Sequence, residues 1–243
     1  MLMKTPPHRQ KGASLVELMV GLAIGLIIVG AAGTVYVNAV RSGSDTLRSA
    51  KLNIELRGAM DMMVAEIRRA GYSNSASLSN NPFTQTTTDL SRPSADCILF
   101  SYDADGNGIT DSSDFFGFKR VDSAISMRFG GNPTPTTSAG CSVGTDSWEK
   151  ITDTNSVIVD TLTFAITYQC INAQTGLNSA VQPCLAGNSV FTAATTGVTS
   201  RSDLVEIRDV TISLVGHHKD DTLTTMRLDQ SVRVRNDRIQ TVP

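Results

Sequence analysis

The hydrophobic positions divide the chain into an apolar N-terminal run, an amphipathic stretch and a longer polar region. No charged residue occurs from Leu18 to Val37, and about 20 apolar residues are enough to cross a bilayer. Apolar residues then recur at three- and four-residue steps, which is the spacing of one helix face. The members of this stripe are Leu52, Leu56, Met60, Met63 and Ile67. The pattern predicts one helix from about Ala13 to Ala70, lipid-facing in its first half and amphipathic in its second.

The end of this helix is marked by charge and by a glycine. Arg68 and Arg69 would occupy the last turn, where cations suit the helix dipole. Gly71 follows as the residue that stops the helix. Three methionines in the amphipathic half are predicted to pack in the core rather than to bind a ligand: Met60, Met62 and Met63.

Beyond the helix, short apolar and alternating segments predict strands separated by polar loops. The predicted strands are Cys97–Tyr102, Phe115–Arg120, Val157–Tyr168, Leu204–Val215 and Met226–Val234. The last two would form a hairpin around residues 217–221. The predicted surface loops are residues 73–95, 130–147 and 172–202. The fold class is therefore α+β: a long N-terminal helix followed by a mainly antiparallel β-sheet head with long loops.

Charge and cysteine content narrow the class of protein. The formal net charge is −2 over 243 residues, and no basic stripe indicates a nucleic-acid surface. Four cysteines all lie beyond the apolar run, and an even number in an exported domain favours two disulfides over three possible pairings. Cys170 and Cys184 flank one polar loop, which favours pairing them and leaves Cys97 with Cys141. Zinc would require closer cysteine spacings.

The start of the apolar run carries two unusual residues, Gly12 and Glu17. A basic leader precedes Gly12, and Glu17 is a carboxylate inside the apolar run, where a charge is costly and usually functional. The run is too long for an ordinary secretory signal. An uncleaved membrane anchor would explain the length and the basic leader. It would not explain Glu17 or Gly12.

Residues 103–114 match a calcium-binding loop, with oxygen donors at positions 1, 3, 5, 9 and 12 and a glycine at position 6. The predicted ligands are Asp103, Asp105, Asn107, Asp111 and Asp114 through their side chains and Ile109 through its carbonyl. Asp114 occupies the position of the usual glutamate, and its shorter side chain predicts weak binding, about 10⁻⁴–10⁻³ M. The alternative is a solvated turn, because Asp, Asn and Gly all favour turns.

Catalytic chemistry is not predicted. Residues 140–144 share the letters of a hydrolase nucleophile elbow but lack the strand that should precede it. His217 and His218 are adjacent in a predicted turn and are expected to be exposed. Joint metal binding by the two is not expected, because successive strand residues face opposite ways. No nucleophile, base and orienting acid converge in the sequence. The expectation is a protein that is not an enzyme and needs no organic cofactor.

The segment from Gly12 to Met19, Gly-Ala-Ser-Leu-Val-Glu-Leu-Met, resembles the type IV prepilin signal. The resemblance implies cleavage between Gly12 and Ala13 by a prepilin peptidase, N-methylation of Ala13 and an assembly role for Glu17. The family usually has phenylalanine after the cut, where this chain has Ala13. The implied segments are a leader at 1–12, a transmembrane half-helix at 13–40, an amphipathic half-helix at 41–71 and a head at 72–243.

Three further features narrow the resemblance to the PilW-like minor pilins. They are the helix exit Ile67–Tyr72, the acidic loop followed by Phe116-Gly117-Phe118, and the closing segment Val232–Asn236. This resemblance implies a minor pilin that initiates or caps a type IV pilus, a fimbrium used in adhesion or motility. The implied partners are other minor pilins, the major pilin, a tip adhesin and the inner-membrane assembly platform.

The same resemblance implies a location and leaves rival functions open. The chain would cross the bacterial inner membrane once, with its head in the periplasm, and then enter the pilus, at its tip. A minor pseudopilin of a type II secretion system shares the signal, the helix and even calcium-binding loops. A membrane-anchored periplasmic hydrolase is the rival from another class, and it lacks a convincing catalytic set.

Overall fold

The computed structural model describes residues 12, 14–74, 81–84, 89–131, 138–141, 148–172, 178–179 and 202–242. One long helix is followed by antiparallel sheets, which confirms the predicted α+β class. Helix α1 runs from Leu15 to Arg69, close to the predicted bounds. By its internal contacts the chain divides into a unit up to Arg48 and a unit from Ser49 onward.

The first unit is the apolar half of α1. Its large side chains are exposed; Leu15 is 76 % exposed and Ile27 is 71 % exposed. The helix is long and apolar enough to cross a membrane, with a mean hydropathy of 2.4 in its most apolar window. Glu17 lies in the first turn, where a carboxylate faces the partly positive end of the helix dipole.

The second unit contains two sheets among the described residues. The first, which we call the meander sheet, joins neighbouring strands in the order β1-β2-β3-β4-β5, all antiparallel. Its strands are β1 Ser91–Ser94, β2 Cys97–Ser101, β3 Phe115–Val121, β4 Ala124–Phe129 and β5 Trp148–Lys150. Short turns connect β2 to β1 and β3 to β4, so the local sequence order sets this topology.

The second sheet, which we call the long-strand sheet, is built around two central strands. Its strands are β6 Val157–Asn172, β7 Asn178–Ser179, β8 Ser202–His218, β9 Asp221–Arg233 and β10 Arg238–Val242. Strand β8 pairs with β6 along one edge and with both β9 and β10 along the other. The predicted hairpin is present as β8 and β9, which are joined at Lys219 and Asp220.

Several strands and one topological feature were missed by the sequence patterns. The head has two sheets where one was predicted. The unpredicted strands are β1, β4, β5, β7 and β10. Strand β1 contains Pro93 and lies at a sheet edge, the position that tolerates a residue without an N–H donor. Strand β4 alternates apolar and polar residues from Ile125 to Phe129, although its polar residues Ser126 and Arg128 are buried as well.

The amphipathic half of α1 supplies one wall of the core. All five stripe residues are buried, at 0–2 % exposure: Leu52, Leu56, Met60, Met63 and Ile67. They belong to one cluster with residues of both sheets, including Phe100, Phe118 and Phe164. Met62 is 44 % exposed, so the prediction that it packs in the core was wrong. Met62 lies outside the buried stripe, at a position that the three- and four-residue steps of that helix face skip.

The end of α1 is held by residues distant in sequence. Gly71 adopts a left-handed φ of +74°, which favours glycine at a helix end, and its N–H donates to Ser101 O at 2.8 Å. The amide of Asn236 donates to the carbonyls of Arg69 and Ala70, at 3.2 and 3.0 Å. Arg235 N–H donates to Arg68 O at 3.1 Å. The closing segment of the chain therefore caps the helix exit.

The cysteine prediction is confirmed for the pair that the structure describes. Cys97 and Cys141 form a disulfide, which ties β2 to the 3₁₀ helix Ser138–Cys141. Cys170 is also disulfide-bonded, while its predicted partner Cys184 lies outside the described residues. Closing a loop of this kind stabilises the head mainly by restricting the unfolded chain.

Two adjacent methionines provide a matched test of this core. We expect Met63→Ala to lower the free energy of unfolding by about 2–5 kcal/mol, because it opens a cavity at a fully buried site. Met62→Ala is the control and should change that free energy by no more than about 0.5 kcal/mol. Chemical denaturation of the full-length protein in detergent, followed by near-UV circular dichroism of the head, measures both. Equal effects would contradict the described helix face.

Candidate functional site

The N-terminal site lies at the start of the apolar helix. Gly12 is exposed and precedes the helix, while Ala13 lies outside the described residues. The first backbone hydrogen bond of α1 runs from Leu18 N–H to Ser14 O at 3.1 Å. Glu17 is exposed on the first turn. The carboxylate is therefore available to a group outside this chain.

The glycines of the apolar helix have no packing role among the described residues of this chain. A Cβ atom added at Gly21, Gly25, Gly30 or Gly33 would meet nothing within 4 Å. Small residues at such positions let another helix approach closely inside a membrane. A continuous apolar surface of this size requires lipid or protein to cover it. The helix therefore has the length and the uncovered apolar surface of a membrane anchor.

The second site is the acidic loop between β2 and β3. Asp103, Asp105 and Asp114 each place one carboxylate oxygen within 4.8 Å of the others. Asp103 is 2 % exposed and Asp114 is fully buried, whereas Asp105 is exposed. The structure thus brings together three of the six predicted calcium ligands, and the binding of an ion by them stays a prediction.

Backbone groups hold the two buried carboxylates in place. Oδ2 of Asp103 accepts the N–H groups of Asn74 and Gly108, at 2.9 and 3.1 Å. Asp114 accepts the N–H groups of Ala104 and Asp111, at 2.9 and 3.0 Å. The remaining oxygen of Asp103, Oδ1, is buried and accepts no hydrogen bond from the residues that the structure describes.

Glycine conformation and an asparagine shape the exposed side of the loop. Gly106, at position 6 of the predicted calcium loop, has a left-handed φ of +78°. The amide of Asn107 donates to Asp105 Oδ2 at 2.7 Å and to Asp111 Oδ2 at 3.3 Å. Asn107 Oδ1 accepts the N–H of Ile109 at 2.6 Å. The turn is therefore stabilised by its own side chains.

Asp111 has a different role from the three clustered carboxylates. It is the N-cap of the 3₁₀ helix Ser112–Asp114 and forms a capping box with Asp114. Its Oδ1 accepts the N–H and the hydroxyl of Ser113, at 2.7 and 2.6 Å. The three-carboxylate group does not include it. The roles predicted for Asp111, Asn107 and the Ile109 carbonyl as metal ligands stay predictions.

The protonation properties of the loop follow from burial. Burial raises the pKa of Asp114, with a further rise from the charges of Asp111 and Asp105, although hydrogen bonds from Ala104 and Asp111 oppose the shift. Hydrogen bonds from Ser113 lower the pKa of Asp111. The cluster thus contains one carboxylate whose charged form is disfavoured by its surroundings.

A polar contact joins the helix end to the strand that leads into the acidic loop. Tyr102 donates its hydroxyl hydrogen to Glu66 Oε2 at 2.6 Å. The guanidinium of Arg69 lies 4.2 Å from the centre of the Tyr102 ring. Burial and the Glu66 carboxylate raise the pKa of Tyr102 well above its usual range. Sequence patterns gave no signal for this contact, because its residues are 36 positions apart.

The remaining candidates from the sequence are the two adjacent histidines and the elbow-like segment that contains Cys141. His218 is 7 % exposed, so the prediction of two exposed turn histidines was wrong: both lie in β8, and the turn begins after them. His217 lies 2.9 Å from Asp160 through Nδ1. Cys141 ends a 3₁₀ helix, so no strand precedes the elbow-like letters, and Ser142 lies outside the described residues.

Comparisons with known proteins find one family match at the N-terminus and another over most of the remaining chain. The family described as Prepilin peptidase-dependent protein B matches residues 45–234, and the Prokaryotic N-terminal methylation motif matches residues 7–33. Neither a curated protein nor a solved structure matches the chain. The first match spans more than half of the 243 residues. The chain therefore belongs to the family of prepilin peptidase-dependent protein B and is a type IV pilin-like protein with an N-terminal methylation motif.

Proposed function

We propose that this protein is a minor pilin that takes part in initiating or capping a type IV pilus. The observation that carries the proposal is the uncovered apolar helix that begins with Glu17 in its first turn. Family membership supports a pilin-like subunit processed by prepilin peptidase. The head and the helix then have separate tasks, since only the helix offers a continuous apolar surface.

Processing is the first step of the proposed function. The basic leader stays on the cytoplasmic side, and prepilin peptidase cuts between Gly12 and Ala13. The same processing enzyme then methylates Ala13. The matched methylation motif covers this junction. The product is a single-pass protein of the bacterial inner membrane with its head in the periplasm.

Assembly is the second step, and Glu17 provides its selectivity. A carboxylate surrounded by lipid is unfavourable by roughly 2.5–3.5 kcal/mol at the helix centre and by less near the interface. The amine at Ala13, on this or a neighbouring subunit, offers a compensating positive charge. Pairing in a low dielectric favours docking. The small residues of the membrane half allow the helices to approach closely.

The size of the head supports the proposed role at the tip. The head has two sheets in its described residues and long polar segments in its sequence. The proposed partners are other minor pilins, the major pilin, a tip adhesin and the inner-membrane assembly platform. A fimbrium built in this way serves adhesion or motility.

The first prediction of the proposal concerns cleavage. Gly12→Leu should leave the precursor uncut, because a bulky side chain replaces the small residue at the cut. Mass spectrometry of the membrane-extracted protein should then find the 12-residue leader still attached, while the wild type begins at Ala13. Gly33→Ala, in the same helix but away from the junction, should be cut normally. A wild-type chain that begins at Met1 would contradict the prediction.

The second prediction concerns Glu17. Glu17→Ala should be cut and inserted normally, yet co-purify with partner pilins at least about tenfold less, because a loss of about 1.4 kcal/mol of pairing already gives that factor. Asp45→Ala is the matched control, since it removes an exposed carboxylate further along α1. Co-purification of Glu17→Ala at the wild-type level would show that the carboxylate is incidental to assembly.

The third prediction tests whether the protein belongs to a type IV pilus or to a type II secretion system. Deletion of the gene should strongly reduce or abolish surface pili, because a pilus that lacks its initiating subunits rarely starts. Electron microscopy of shed and cell-attached filaments measures this, with the wild-type gene in trans as the control. Normal piliation combined with loss of a secreted protein would instead assign the chain to a type II secretion system, as a minor pseudopilin.

A further inference from the structure

We propose that Asp103, Asp105 and Asp114 bind one calcium ion, and that this ion fastens the segment following α1 to the acidic loop. The proposal rests on two observations that differ in kind. One is the convergence of three carboxylates within 4.8 Å. The other is Oδ1 of Asp103, a buried oxygen that no described group satisfies.

The buried oxygen carries the energetic argument. A carboxylate oxygen that is taken out of water without a partner is unfavourable, because it loses its hydrogen bonds to solvent. Asp103 is 2 % exposed, and its other oxygen already accepts two backbone N–H groups. A cation in the cluster supplies the missing partner for Oδ1. A plain solvated turn does not, since this side chain is shielded from solvent.

Charge balance points the same way. Asp103, Asp105 and Asp114 form no ion pair with a lysine, arginine or histidine in the part of the chain that the structure describes. Like charges at such separations repel one another, more strongly where burial excludes water. One divalent ion offsets most of that repulsion.

Ligand chemistry favours a hard cation. All three donors are carboxylate oxygens, which suit such ions, and no cysteine or histidine joins the group. Separations within 4.8 Å allow one ion to contact all three oxygens. Calcium accepts oxygens at about 2.3–2.6 Å in a flexible coordination sphere, whereas magnesium requires near-octahedral geometry at about 2.0–2.1 Å. An irregular loop of carboxylates therefore suits calcium better than magnesium.

The position of the cluster gives the ion its structural effect. Asp103 binds Asn74 N–H through Oδ2, and Asp103 N–H donates to Tyr72 O at 2.9 Å. The amide of Asn74 in turn donates to Gly106 O at 3.1 Å. Residues 72–74 follow directly after the helix end, so an ion on Asp103 stiffens the link between α1 and the loop.

The test uses the full-length protein in detergent after treatment with a chelator. Equilibrium dialysis with radioactive calcium should find one ion per chain, with a dissociation constant of about 10⁻⁴–10⁻³ M. Calcium at 1 mM should raise the melting temperature of the head by about 1–6 °C, through binding to the folded state. Magnesium at the same concentration should raise it less.

Two variants that each lose one negative charge distinguish a specific calcium site from a general effect of calcium on surface charge. Asp105→Asn should weaken calcium binding at least tenfold and remove the thermal shift, and it should fold normally because Asp105 is exposed. Asp220→Asn changes an exposed turn carboxylate in the β8–β9 hairpin and should leave both readouts at the wild-type level. Absence of bound calcium in the wild type, or equal binding by both variants, would overturn the proposal.

Discussion

The carbonyl groups at the end of helix α1 impose the constraint on which the rest of the head depends. A helix leaves its last carbonyls without partners inside the helix, and here the closing segment of the chain supplies partners for them. Arg235 and Asn236 cap Arg68, Arg69 and Ala70, and the Asn81 amide donates to Gly71 O at 2.7 Å. The buried guanidinium of Arg208 holds this arrangement by binding Asn236 O and Asp89. Hydrogen bonds thus join the end of helix α1 to the closing segment.

The two halves of α1 face different surroundings because their sequences differ in one respect, the presence of a polar side. The second half has a narrow buried stripe, and most of its charged residues are exposed, whereas Glu55 and Glu66 are partly buried and accept hydrogen bonds from Ser156 and Tyr102. The first half is apolar on every side, and the described residues of this chain do not cover it. Lipid or other helices must do so, and the proposed pilin role satisfies that requirement. The same helix therefore serves as the core of a head and as an anchor.

The acidic loop shows how packing turns a generic turn into a specific site. Asp, Asn and Gly would form a turn in many settings, and Asn107 with Asp111 makes such a turn here. Burial of Asp103 and Asp114 changes its chemistry, because two carboxylates lose water while backbone N–H groups hold them in place. Strand β2 enters this loop directly from the core, which is why its first carboxylate is buried.

The sequence by itself determined the long helix, its buried stripe, the glycine that ends it, the prepilin-like junction and the strands with clear apolar patterns. These are local properties, since periodicity and single-residue conformational preferences act within a few positions. Tertiary structure decided what depends on partners far along the chain. The missed strand β10 depends on its pairing with β8, and His218 is buried by the sheet. The unsatisfied Asp103 oxygen is likewise a product of packing, because no sequence pattern records which side of a carboxylate loses its water.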